Sequence, residues 1–287
     1  MRLPGRAHTN HAGIGATALL ACSFSLAGAF SQAPAEPQVA DAVAKSMPAE
    51  GTERLVYRVE WDPPGYLFFL PTMDVGEATL SLAGATEFKD RKALKIIFTA
   101  HSSGALVKLA GIRIDDYYEF LTDAETFCTF TVIKREREGK RMRDIDLIYL
   151  PESRKVHVRE VDVSTTAQRV IRDKDYDQIP PCVKDLFSAL YSVRRTEMTA
   201  GTSNVVLVGD NEKVKEISIL VKKKESVKTP AGKFDAWQVD TVAVFGGLFK
   251  DGGQFRMWLS ADERKMPVRF EAKVSLGKVT GSLTTAR

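Results

Sequence analysis

The sequence predicts a mostly β protein: one large curved antiparallel sheet, or a partial barrel, with a single amphipathic helix inserted in it. Three observations carry this expectation. Apolar and polar residues alternate with period two along most of the chain after Glu53, the pattern of strands that bury one face. Short clusters rich in Pro, Gly and Asp separate the alternating runs and supply the backbone angles that reversals need. A single segment, around residue 190, changes to helical spacing.

The elements follow in chain order. Arg2 and Arg6 precede an apolar run from Ile14 to Phe30 that ends in Ala27-Gly28-Ala29. A basic start, an apolar helical stretch and small residues at its end that fit a peptidase read as a secretory signal peptide over residues 1–29. Leu19-Leu20-Ala21-Cys22 also reads as a lipobox, which would anchor the chain through an acylated Cys22. The run stays apolar through Phe24, Leu26 and Phe30, which favours cleavage after Ala29. Residues 30–52, rich in Ala, Pro, Glu and Gln, have no period that could build a packed face and are read as a flexible linker.

Residues 53–287 read as one antiparallel β domain. Leu55, Tyr57, Val59 and Trp61 alternate with Arg54, Arg58 and Glu60. The same rhythm returns at Gly76 to Leu82, Leu94 to Ala100, Ile217 to Val221, Trp237 to Phe245, Phe255 to Leu259, and Val268 to Leu276. Reversals are expected at Asp62-Pro63-Pro64-Gly65, Glu138-Gly139-Lys140, Thr229-Pro230-Ala231-Gly232, Asp251-Gly252-Gly253 and Leu276-Gly277-Lys278. About ten strands joined in this way favour a broad curved sheet over a helical fold. Val183, Leu186, Phe187, Leu190, Tyr191 and Arg194 follow i, i+3, i+4 spacing behind Pro180-Pro181, with Asp185 at the start and Arg194 and Arg195 at the end. These features start, polarise and finish a helix. Its apolar face is expected on the concave side of the sheet.

Composition excludes several classes. A hydrophobic fraction of 44% and a charged fraction of 27% are those of a globular domain, and no second apolar stretch is long enough for a transmembrane span in the mature chain. The formal charge of +4 falls to +2 without Arg2 and Arg6, so no nucleic-acid partner is expected. Only His101 and His157 follow the leader, with neither an HExxH nor a CxxC arrangement, and no metal or other cofactor is expected. Outside the leader the cysteines are Cys128 and Cys182. They form either a disulfide, as an exported chain permits, or two buried free thiols.

His101-Ser102-Ser103-Gly104 sets an imidazole beside a hydroxyl, but adjacent strand residues point to opposite faces, so turn chemistry explains the segment better. The charged run Lys134 to Arg143 centres on a turn and is read as a solvated hairpin, with weak binding of polyanions as a minor alternative. Tyr66-Leu67-Phe68-Phe69-Leu70 stands between Pro64 and Pro71. Five consecutive large apolar residues either pack over the core or present a surface to a partner. The expectation is a lid over an apolar cavity.

Tyr57-x-Val59-x-Trp61 with Gly76, then Asp185-Leu186-Phe187-Ser188-Ala189-Leu190-Tyr191 with Arg194 and Gly201, resemble bacterial exported proteins of domain-of-unknown-function family 3108. Thr229 to Phe234, Trp258 to Asp262 and Pro267-Val268-Arg269 extend the resemblance over nearly all of the chain from Glu53. It implies an exported, mostly antiparallel β protein without assigned catalytic residues, similar in architecture to half-barrel lipoprotein carriers of the bacterial envelope.

The expected protein is therefore periplasmic or secreted, non-catalytic, and holds an apolar or lipid-like ligand or an envelope partner. Tyr66, Phe68 and Phe69 are expected as lid, and Phe187 and Tyr191 as cavity floor. Asp185, Ser188 and Arg194 belong to the structural motif of the helix, with Asp185 and Arg194 acting through caps and ion pairs. Two other classes compete: an envelope hydrolase using carboxylates such as Asp115, Asp116 and Glu119, which would need to converge on a scissile bond, and an assembly factor pairing through a sheet edge.

Overall fold

A computed structural model describes residues 52–67, 69–104, 107, 113–242, 255–274 and 277–287. The expected signal peptide, Cys22, nearly all of the expected linker, Phe68 and the expected turn at 251–253 lie outside the described residues.

Fourteen strands form one antiparallel sheet. They are β1 (Thr52–Asp62), β2 (Met73–Phe88), β3 (Arg91–Ser102), β4 (Asp115–Asp123), β5 (Thr129–Glu138), β6 (Arg141–Leu150), β7 (Lys155–Asp162), β8 (Arg169–Tyr176), β9 (Ser203–Asp210), β10 (Lys213–Thr229), β11 (Gly232–Val242), β12 (Phe255–Ser260), β13 (Pro267–Val274) and β14 (Gly277–Ala286). Their spatial order is β8-β7-β6-β5-β4-β3-β2-β1-β14-β13-β12-β11-β10-β9. Every neighbour is a neighbour in sequence except β1 and β14, which pair where the two ends of the domain meet. The helix α1 (Leu186–Arg194) sits between β8 and β9 in sequence.

The period-two parity holds. Leu55, Tyr57, Ala78, Leu80, Leu82, Ile96, Phe120, Val132, Leu147 and Val158 line the inner face and are buried. A fully buried side chain of this kind contributes about 1.5–3 kcal/mol, and a sheet this wide needs such a continuous face to hold its register. A second apolar cluster, with Val208, Ile217, Ile219, Val221, Val239, Met257 and Leu259, covers the inner face of β9–β12. At Gly281 an added Cβ would lie 2.1 Å from the Phe270 ring. The missing side chain lets that ring lie flat on β14, edge-on to Tyr57 at 5.5 Å.

The sheet curls without closing, since β8 and β9 do not pair. Val183 and Lys184 bridge the gap. Thr129 N–H donates to Val183 O (2.8 Å), Lys184 N–H donates to Leu207 O (3.0 Å) and Gly209 N–H donates to Lys184 O (2.8 Å). Gly209 permits this approach, because a Cβ there would stand 2.4 Å from the Tyr149 hydroxyl of β6. Ion pairs complete the join: Lys134 to Asp210 at 2.9 Å and Arg172 to Glu212 at 2.6 Å.

One expectation is corrected. The charged run 134–143 does turn at Gly139-Lys140, but it is not wholly solvated: Lys134, Glu136 and Arg143 point inward, where Arg141 binds Glu136 and Arg143 binds Asp162 at 2.7 Å. Of the expected lid, Tyr66 and Phe69 are 68% and 67% exposed, next to a single 3-10 turn over Gly65–Leu67.

Candidate functional site

The inner face is organised around α1, which is fastened at both ends. Asp185 is its N-cap. The carboxylate accepts from Phe187 N–H and Ser188 N–H, each at 2.9 Å, from the Ser188 hydroxyl, and from the Thr129 hydroxyl at 2.8 Å. Asp185 N–H donates back to Thr129 Oγ1 at 2.7 Å. Burial raises the Asp185 pKa, and these donors oppose the shift. Immediately beside this cap a disulfide joins Cys128 to Cys182, with Cα atoms 5.0 Å apart. The start of β5 thus holds the helix N-terminus covalently and by hydrogen bonds.

The other end is held by Arg194, whose guanidinium meets Glu53 of β1 in a fork. Nη1 donates to Oε2 at 2.7 Å and Nη2 to Oε1 at 2.8 Å. Both side chains are fully buried. Tyr191 OH donates to Glu53 Oε2 at 3.1 Å, and the Arg264 carbonyl accepts from Arg194 Nε and Nη2 at 3.3 and 3.1 Å. Burial favours the uncharged guanidinium, yet the Glu53 hydrogen bonds and charge raise the Arg194 pKa. The Tyr191 phenol is raised by burial and by Glu53.

Between these fastenings the helix has two apolar faces. Phe187 stacks on Phe98 of β3 at 4.7 Å and meets Phe120 of β4 at 5.3 Å. On the other face Leu186, Ala189, Leu190 and Val193 look toward β9–β12 across a crevice of about 40 Å³, walled by Val206, Val208, Ile217, Ile219, Thr241, Phe255 and Met257. Ten of its eleven lining residues are apolar. The crevice opens beside Leu186, which is partly exposed.

The expected site residues therefore occupy different places. Phe187 and Tyr191 belong to the core on the β1–β4 side and do not floor this crevice. Tyr66 and Phe69 lie on an outer connection rather than among its lining residues. The crevice residues that sequence reasoning missed alternate along β9, β10 and β12. Ala189 and Val193 are legible in the helical spacing, but only the fold brings them opposite Ile217 and Met257.

The carboxylates of the hydrolase reading do not converge. Asp115 faces outward to His101 (2.7 Å), and Glu119 faces outward to Lys95 (3.1 Å). Asp116 points inward, where its carboxylate accepts from Arg137 N–H at 2.7 Å. Burial, then Glu138 and Glu136, pushes its pKa up to about 6. The Ser102 hydroxyl accepts from Ile114 N–H at 2.8 Å while His101 bonds Asp115, so imidazole and hydroxyl are not coupled. Among the described residues no group of three or more His, Cys, Asp or Glu side chains is placed to hold a metal ion.

An open antiparallel sheet wrapped round one clamped helix defines an incomplete β-barrel. The chain belongs to the DUF3108 family, described as proteins of unknown function, whose match spans residues 56–284. Among solved structures, a β-barrel-like DUF1849 protein from Brucella abortus is similar at 10% identity and TM-score 0.53, over 83% of this chain and 98% of that one. This likeness is one of fold. A candidate exported protein with a YmcC-like fold from Bacteroides fragilis matches at 14% identity and TM-score 0.32, over 83% of this chain and 96% of that one. A candidate lipoprotein from Parabacteroides distasonis matches at 12% identity and TM-score 0.35, over 84% and 97%. No curated protein matches the sequence.

Proposed function

We propose that the protein is an exported, non-catalytic component of the bacterial envelope that accommodates an apolar or lipid-like group between α1 and β9–β12. The observation that carries this reading is the crevice itself: an almost wholly apolar lining, open on one side, roofed by a helix whose two ends are fixed. Apolar surface offered to a hydrocarbon chain contributes about 25 cal/mol per Å² buried. At about 40 Å³ the resting crevice holds only the end of a chain. A longer segment requires Leu186 and Leu190 to change rotamer, which costs far less than releasing either end of the helix.

Export is supported by the leader at residues 1–29 and by the Cys128–Cys182 disulfide, a bond that persists in oxidising compartments. No helix among the described residues is long and apolar enough to cross a membrane. The separation of Asp115 and Glu119 from Asp116 onto opposite faces supports a role without acid–base chemistry. Native mass spectrometry with lipid extraction, on protein purified from its own envelope, tests the reading. A co-purifying acyl chain is expected. Absence of any such ligand, together with no binding of a fluorescent fatty acid, contradicts it.

A second reading, assembly through a sheet edge, is favoured by β8, which pairs on one side only and leaves Val170 54% exposed. Arg169, Arg172, Asp173, Lys174 and Asp175 make that edge strongly charged, a composition that discourages pairing with another strand.

A further inference from the structure

On the face of the sheet turned away from α1, a cleft of about 470 Å³ lies between the β10–β11 turn and the outward side chains of β1, β13 and β14. Its lining is Arg58, Glu60, Lys228, Thr229, Pro230, Arg269 and Ser282. Strand register builds the floor. Arg58 and Arg269 both stand opposite Ser282, one on each side, and in the next row Glu60 and Glu271 flank Thr280. Neighbouring strands are about 4.8 Å apart, so the two arginine stems straddle the serine at a distance their side chains can close. The turn carrying Lys228 is held over β14 by Ala231 N–H, which donates to Leu283 O at 3.0 Å.

Three features of this cleft point to an anion. Its lining holds three cations and one carboxylate, and Lys228 makes no ion pair among the described residues. Arg58 lies 3.7 Å from Glu60, a loose contact, whereas Arg269 commits only Nη2 to Glu271 at 2.7 Å and is held in plane 5.3 Å from the Trp258 ring. Among the described residues, the buried side-chain polar atoms without a hydrogen-bond partner are Arg269 Nε and Thr280 Oγ1; Arg269 lines the cleft, whereas Thr280 lies in the next row and does not. Unpartnered buried donors are costly and call for an acceptor. Donors arriving from β1, β13 and the overlying turn suit a tetrahedral oxyanion better than a planar carboxylate, which presents only two oxygens.

We propose that this cleft binds the phosphoryl group of a small phosphate-bearing molecule, its remaining volume taking the attached organic part. The site is independent of the apolar crevice on the other face.

The test is a titration of the full chain with inorganic phosphate, followed by the side-chain Nε–H resonance of Arg269. A saturable shift is expected, weakened about tenfold by Arg58→Gln and by Lys228→Gln, since a charge-assisted hydrogen bond is worth at least that factor. Both residues are exposed, so unfolding midpoints of the variants should match wild type and show that the fold is kept. Glycerol phosphate and vesicles of phosphatidylglycerol or phosphatidylcholine separate the sources. Competition by glycerol phosphate without vesicle sedimentation supports a soluble ligand, and sedimentation with phosphatidylglycerol alone, lost in Lys228→Gln, supports a headgroup. No saturable shift, or a shift unchanged in both variants, overturns the proposal.

Discussion

Glu53 and Arg194, 141 residues apart in sequence, form a two-pronged ion pair at 2.7 and 2.8 Å inside the protein, with both side chains wholly removed from solvent. The pair fixes the last turn of α1 to the first turn-facing residues of β1. Breaking it by removing one partner leaves a buried charge unmet. Glu53→Leu and Arg194→Met are each expected to cost about 3–5 kcal/mol, and the double variant Glu53→Leu/Arg194→Met less than the sum. Urea unfolding of the four proteins measures this; additive costs would show that the two residues are not coupled.

The N-terminal fastening combines a cap with a disulfide. Closing a loop with a sequence separation of 54 restricts the unfolded chain enough to add about 4 kcal/mol in the chain-entropy picture. Cys128→Ser/Cys182→Ser should lower stability by that order, and reductant should shift wild type but not the variant. Asp185→Ala is expected to cost about 2 kcal/mol more, because the cap is lost and Thr129 is left without its partner.

Asp116 gives a pH dependence of definite sign. Its folded pKa of about 6 exceeds the ordinary 3.8, so the folded state binds this proton more tightly than the unfolded state. The resulting stabilisation is full below about pH 4 and is lost as pH rises through about 6. Asp116→Asn, which keeps an acceptor for Arg137 N–H, should raise stability by ~2 kcal/mol at about pH 8 and give no gain at about pH 4. Thermal unfolding at the two pH values checks it.

Exposure and close packing predict opposite outcomes at two positions of the outer and inner surfaces. Tyr66→Ser should change unfolding stability by no more than about 0.5 kcal/mol, as is usual for a surface residue. Gly281→Ala should cost about 2 kcal/mol or more, because the Phe270 ring lying on that Cα must move. Equal effects at both sites would contradict the described packing.

Much of this architecture was legible in residue order. Alternation located the apolar strands, turn residues located the reversals, and helical spacing located α1. The strands least legible in this way are those whose inward positions are charged, such as β5 with Lys134 and Glu136, and the edge strand β8, whose residues are mostly charged and exposed, so that parity has little contrast. Glu53 carried a usable signal, since it shares parity with Leu55 and Tyr57, but a carboxylate at an inward position reads as a strand end until its partner is known. At the aromatic run Tyr66 to Leu70, composition alone does not distinguish an exposed turn from a lid. The crevice and the phosphate cleft each draw on strands far apart in sequence, so neither has a local motif.

Occupation of the crevice by an acyl chain is measured by comparing fluorescent fatty acid binding in wild type with Ala189→Trp and Val193→Trp, which fill the crevice from the helix, and with Tyr66→Ser, which leaves it intact. Saturable binding is expected in wild type and Tyr66→Ser, with its loss in both tryptophan variants while the fold is retained. Undiminished binding in folded Ala189→Trp and Val193→Trp would contradict occupation of the crevice.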